Sequence, residues 1–369
     1  MPLKIEVLDT GVIYRNAKPY LRAVQAMHPC LMVVSATEII ATFDLGQGAE
    51  SLDYHTALAR SRDGGKSWTQ EGPILPATPG SYSTHTVRTA LLSDGTILGI
   101  KALYVRHDPE EGILNRDNLG LVPTELSLVT SADLGRTWTA PRPIQSPLAS
   151  PAWEVSHPPL ELAGGRLALP LATWRGWDGL LPCGEQAVML LSEDGGQTWP
   201  SFSRTFDGRA SGLIHWEQCV IAWGPGLLAV AWQYDPGAQK TRPSVYALGQ
   251  GFPPLFGPAQ PTGLLAETCE LLALDRVRLL AIYRRTDQPG LWATIARLEG
   301  QAWVNETSAP LWQGSVSRMV GGQKGADELS GLKFGSPSVK RLADGSVLVA
   351  FWCHEDGICN IRWIKVGVG

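Results

Sequence analysis

The sequence predicts an all-β chain folded as a single six-bladed β-propeller, its ring closed by an N-terminal strand that joins the last blade. Three observations predict it. An eight-residue turn pattern occurs three times. Six apolar hairpins start roughly 50 to 70 residues apart, a period in the propeller range. The 369 residues also include 40 Gly, 27 Pro and 14 Trp, and only 18% are charged. The length would hold two or three average domains, but this turn-rich, weakly charged composition suits one large closed β domain.

The turn pattern reads Ser61-Arg62-Asp63-Gly64-Gly65-Lys66-Ser67-Trp68, then Ser131-Ala132-Asp133-Leu134-Gly135-Arg136-Thr137-Trp138, then Ser192-Glu193-Asp194-Gly195-Gly196-Gln197-Thr198-Trp199. The Ser hydroxyl and Asp carboxylate suit the free backbone N–H groups of a tight turn. The shared Gly suits a positive φ, and the Trp returns into the apolar layer. The pattern resembles the Asp-box, or bacterial neuraminidase repeat, of the sialidase superfamily of β-propellers. The resemblance implies that these turns are structural and lie on the face away from an active site.

The hairpins run from His28 to Asp44, His85 to Tyr104, His157 to Trp174, Glu217 to Tyr234, Thr268 to Arg284 and Pro337 to Trp352. Each is an apolar strand, a turn and a second apolar strand. Ala57–Arg60, Leu126–Val129 and Ala187–Leu191 read as third strands leading into the three repeated turns. Blade 4 lacks the turn pattern and blade 5 keeps a worn version at Arg297–Trp303. In the last blade Ile361–Lys365 is the third strand, and Ile5-Glu6-Val7-Leu8 supplies the missing outer one. Closure removes the open sheet edges that invite aggregation. The expected blades span about 20–80, 81–150, 151–210, 211–260, 261–313 and 334–369 with 3–15, without a domain boundary. Residues 314–333 read as a long loop, either a lid or an insertion.

Composition narrows the function. A net charge of -4 and a pI near 6.0 give no reason to expect nucleic acid or an anionic membrane as partner. The start has no basic-then-apolar leader and no apolar run is long enough to span a bilayer, so a soluble cytoplasmic protein is expected. The six cysteines show no zinc-type pair spacing and read as buried free thiols. No cofactor or metal is expected.

In a propeller the N-terminal ends of the innermost strands and the loops after the second strands gather at one mouth of the channel. The residues at those places are polar, and they include Asp44, Trp153 and Glu154. Carboxylates, histidines, arginines and Trp together suit a sugar site. Glu217, beside Trp216, resembles the sialidase Glu that polarises a tyrosine nucleophile; otherwise it is a salt-bridged rim residue. By the same resemblance Asp53 stands in the loop of the acid/base Asp, and Arg284 where a triad arginine is often found. Glu267 and Tyr283 flank the same hairpin as Arg284 and join the catalytic candidates. His157 is a candidate general acid or base. His28, His85 and His157 open three successive blades; contacts with sugar hydroxyls are expected of them more than a metal cluster. Arg88 and Arg175 are the other candidate anion ligands, since an arginine in an inner strand must line the channel or be paired. Trp153 and Tyr234 offer flat faces for sugar rings.

The resemblance stops short of the sialidase pocket. Where sialidases open blade 1 with Arg-Ile-Pro, this chain has Met27-His28-Pro29, and Gln233-Tyr234 stands where a second triad arginine is expected. The scaffold is kept with altered pocket chemistry. The expected activity is an exo-acting glycoside hydrolase on a terminal, acidic sugar. A uronate-directed lyase and a non-catalytic carbohydrate-binding propeller are the alternatives.

Overall fold

A computed structural model describes residues 3–77, 80–314 and 333–369. It is a six-bladed β-propeller, built as six antiparallel sheets of which blade 6 is completed by the N-terminal strand. Blade 1 comprises Gln25–Val33, Ile39–Gly46, His55–Ser61 and Thr69–Pro73, counted outward from the channel. Blades 2 to 5 repeat this order, and blade 6 comprises Phe334–Arg341, Val347–Glu355, Ile358–Val368 and Ile5–Arg15. The last pair is antiparallel from Ile5 opposite Val368 to Arg15 opposite Asn360. The strand expected to close the ring therefore does so. The loop expected at 314–333 falls almost wholly outside the described residues.

Six apolar clusters hold the ring, one at each junction between neighbouring blades. Met32, Ile40 and Leu58 meet Val87, Ile97 and Val129 between blades 1 and 2. Leu31 and Phe43 meet Leu348, Ala350 and Trp352 where blade 1 closes against blade 6. Each strand alternates its side chains between the two neighbouring junctions, so both faces of every sheet are buried. Fully burying one such Leu or Ile contributes about 1.5–3 kcal/mol. All six cysteines are free thiols; Cys183 is half-buried and the others are buried.

The three repeated turns share the hydrogen bonds of their Ser, Asp and Gly, and the first two also that of their Trp, whereas Trp199 Nε1 in the third has no partner among the described residues. In the first, Gly65 N–H donates to Ser61 Oγ at 2.8 Å and Ser67 N–H to Asp63 Oδ1 at 2.9 Å, while Trp68 Nε1 donates to the Gly65 carbonyl at 3.0 Å. Gly135 and Gly196 bond the same way to Ser131 and Ser192. Gly196 sits at φ +81°, and a Cβ there would stand 3.0 Å from Leu128 and 3.3 Å from Leu167. Gly196→Ala should therefore destabilise the fold by about 1–3 kcal/mol, read as a lowered thermal midpoint.

Antiparallel order puts these turns, each after a third strand, at one end of the channel. The start of every inner strand and the end of every second strand lie at the other.

Candidate active site

The inner strands do not run straight into the channel. Their pairing slips between Met27 and Cys30 in blade 1, Trp216 and Cys219 in blade 4, Glu267 and Glu270 in blade 5, and Gly335 and Ser338 in blade 6. At each slip one non-glycine residue takes a positive φ: His28 at 52°, Glu217 at 49°, Thr268 at 47° and Ser336 at 46°. Each such conformation costs about 1–3 kcal/mol, and a bulge re-aims the side chain it carries. The outcome is four side chains from separate blades turned onto one cavity, which His157 and Glu270 also line. In blade 3 the inner strand is broken instead, into Ala152–Glu154 and Leu160–Leu162.

Two carboxyls meet at this mouth. Glu154 lies against the backbone N–H of Glu217 and accepts a hydrogen bond from Ser156. Burial and the Glu217 charge push the Glu154 carboxyl up to about 8, so it holds its proton at neutral pH. Burial raises Glu217 as well, while Arg284 and a 2.6 Å hydrogen bond donated by Trp232 Nε1 pull it back. Neighbouring carboxyls in a desolvated site share protons unequally, which separates an acid from a base.

Ion pairs flank the two carboxyls. On one side Asp44 is fully buried and accepts from Arg88 Nη1 at 2.8 Å, Thr56 Oγ1 at 2.6 Å and His28 Nδ1 at 3.1 Å. Burial alone would raise Asp44, but Arg88 and His28 outweigh it and hold the carboxyl below its usual value. Burial and Arg88 lower His28, which leaves its imidazole neutral. On the other side Arg284 grips Glu267 at 2.8 Å and donates to the Phe334 carbonyl at 3.0 Å. An aromatic column stands nearby: Trp216 is stacked with Trp174 at 5.2 Å and with Tyr234 at 5.3 Å between ring centroids.

The structure thus gathers His28, Arg88, Glu217, Glu267 and Arg284 around the mouth, with His157 on the cavity below and Tyr234 in the aromatic column. It sets other candidates apart. Tyr283 is 2% exposed in the core between blades 4 and 5, its hydroxyl on Thr294. Trp153 is packed between blades 2 and 3. The reason is alternation along a strand: Tyr283 and Trp153 point opposite to Arg284 and Glu154. Asp53 is exposed and bonds the Gln47 N–H and the Ser51 hydroxyl within its own loop. Arg175 is half-buried and paired with Glu185 at 2.5 Å. His85 is buried, and burial with Lys101 lowers its imidazole to about 4. Sequence reasoning placed Glu154 and Asp44 at the mouth without choosing either; an acidic residue ending a short strand before Ser-His-Pro-Pro was the available sign.

No family model matches the chain, and no curated protein matches it in sequence. Solved structures do. A protein of unknown function from Dyadobacter fermentans is 18% identical, with a TM-score of 0.76 over 99% of both chains. The intramolecular trans-sialidase of Ruminococcus gnavus, solved with oseltamivir carboxylate, is 12% identical, with a TM-score of 0.66 over 96% of both. Trypanosoma rangeli sialidase, solved with sialic acid, is 13% identical with a TM-score of 0.64; 98% of this chain covers 58% of it. These likenesses show a fold, the propeller of sialidases and trans-sialidases.

Proposed function

We propose that the chain is an exo-acting glycoside hydrolase in which Glu154 protonates the leaving oxygen and Glu217 acts as its partner carboxylate. The observation that carries this reading is the pair itself, two desolvated carboxyls at the mouth with Glu154 protonated at neutral pH. Two carboxyls with separated proton affinities are what glycosidic cleavage requires. Trp174 and its stacked neighbours supply an apolar wall for a sugar ring. Arg88 and Arg284 are each held by a carboxylate, so an acidic sugar gains less here than from a clamp of unpaired arginines. Substrate charge is therefore a variable of the test.

A uronate lyase is the second reading, favoured by one arrangement. His28 is neutral, oriented by buried Asp44, and has the Tyr54 hydroxyl 3.5 Å from its Nδ1. A neutral imidazole so held suits proton abstraction beside a carboxylate.

The test is a panel of aryl-glycosides, sialosides among them, run beside uronate-containing oligosaccharides. Release of the aryl group, lost in Glu217→Gln, is the expected result. Ultraviolet absorbance from an unsaturated uronate, lost in His28→Ala, would transfer the assignment to the lyase. Binding without turnover across the whole panel would sink both.

A further inference from the structure

Below the mouth, three donor atoms from three blades converge. His157 Nε2, Cys219 Sγ and a Glu270 carboxylate oxygen all lie within 4.8 Å of one another, contributed by blades 3, 4 and 5. His157 Nε2 stands 3.7 Å from Glu270 Oε2. That is too long for a hydrogen bond. Nitrogen and oxygen ligands on a tetrahedral zinc ion stand about 3.3–3.5 Å apart for bonds of about 2.0–2.2 Å, so the pair needs to close by only a few tenths of an ångström. We propose that His157, Cys219 and Glu270 form a zinc site that ties blades 3, 4 and 5 together across the channel.

Each donor is prepared for this. His157 Nδ1–H donates to the Pro158 carbonyl at 2.9 Å, which places the lone pair on Nε2. Orientation of a ligand histidine through its other ring nitrogen is the usual arrangement at metal centres. That Nε2 is sealed from solvent and has no hydrogen-bond partner. An orphaned buried acceptor is costly unless something occupies it. Cys219 is 1% exposed and its sulfur accepts the Leu271 N–H at 3.4 Å.

His157 and Glu270 line the same cavity as His28 and Glu217, so an ion held by the trio would stand at its wall. One imidazole, one thiolate and one carboxylate suit zinc, whereas calcium and magnesium take all-oxygen sets. Three protein ligands leave a fourth position facing the cavity. Such a site stands whether or not the mouth cleaves a sugar.

Cobalt(II) is the probe, because a thiolate ligand gives it a charge-transfer band in the near ultraviolet. Chelator-treated full-length protein should bind one equivalent with that band and lose it on adding zinc. Cys219→Ser should abolish the band, while Cys269→Ser, a change to a neighbouring buried thiol outside the trio, should keep it. His157→Gln should weaken cobalt binding on the order of 100-fold, a loss expected of a ligand rather than a bystander. Zinc should also raise the melting temperature of the wild-type protein and not of His157→Gln, which keeps the question open to measurement if Cys219→Ser does not fold. Sub-stoichiometric binding, a band that survives Cys219→Ser, or equal zinc stabilisation of His157→Gln would each overturn the site.

Discussion

Replacing Glu154 by Gln is expected to lower kcat by about 10²- to 10⁴-fold on any glycoside the protein cleaves, the usual contribution of a positioned general acid. Gln is close in shape to the protonated carboxyl that burial and Glu217 maintain, so the variant should fold with an unchanged or higher thermal midpoint. A kinetic loss without a stability loss separates chemistry from packing. Wild-type activity should fall as pH rises through about 8, where Glu154 gives up the proton it must donate. The same shift has a stability consequence of definite sign. Between the usual carboxyl value of 4.5 and about 8 the folded state holds a proton that the unfolded state has released, so stability declines as pH rises across that window. A pH–rate profile lacking an alkaline limb near 8 would remove Glu154 from the role.

The second large effect concerns stability. Asp44→Ala should cost about 3–5 kcal/mol, because it strands the buried Arg88 guanidinium without its counter-charge. Asp44 is wholly buried, and Thr56 and His28 lose an acceptor as well. The measurement is the denaturant midpoint at unchanged m-value. Adding Arg88→Met to the same chain should recover most of the loss, since the stranded charge is then gone. The pH dependence runs opposite to that of Glu154. The Asp44 carboxyl is held below its usual value, so its contribution is present above the unfolded-state value near 4 and disappears as pH falls through the folded-state value. A loss below about 1 kcal/mol would mean that Arg88 finds water or another partner, contrary to its burial.

The scaffold was legible because its signals are local and repeated. Ser61, Asp63, Gly65 and Trp68 act within one turn, and the same residue types recur at Ser131 and Ser192 with the same bond from Gly N–H to Ser Oγ. Strand alternation was legible only to within one residue. Choosing Trp153 over Glu154, and Tyr283 beside Arg284, selected side chains on opposite faces of the same strands. The bulges add a further obstacle: His28, Glu217, Thr268 and Ser336 share a backbone conformation but no residue type, so nothing in composition marks them. Pairings across blades were hidden for another reason. Asp44 and Arg88 are 44 positions apart and belong to different hairpins, so their contact depends on how neighbouring sheets are angled.

The clasp between Ile5–Arg15 and Ile358–Val368 bears on how the molecule reaches its working form. Blades 1 to 5 are each made from one contiguous stretch and can pair locally, whereas Thr10 and Trp363, bonded in blade 6, are 353 positions apart. Loop-closure entropy opposes that meeting until the intervening blades have shortened the path. Geometry at the mouth depends in part on the same event, because blade 1 meets blade 6 only in the closed ring, where the Leu31 N–H donates to Ser338 Oγ at 2.9 Å. His28 from blade 1 and Ser336 from blade 6 both line the cavity, and Arg284 donates to the Phe334 carbonyl of blade 6. That side of the cavity wall is thus complete only while the seam holds.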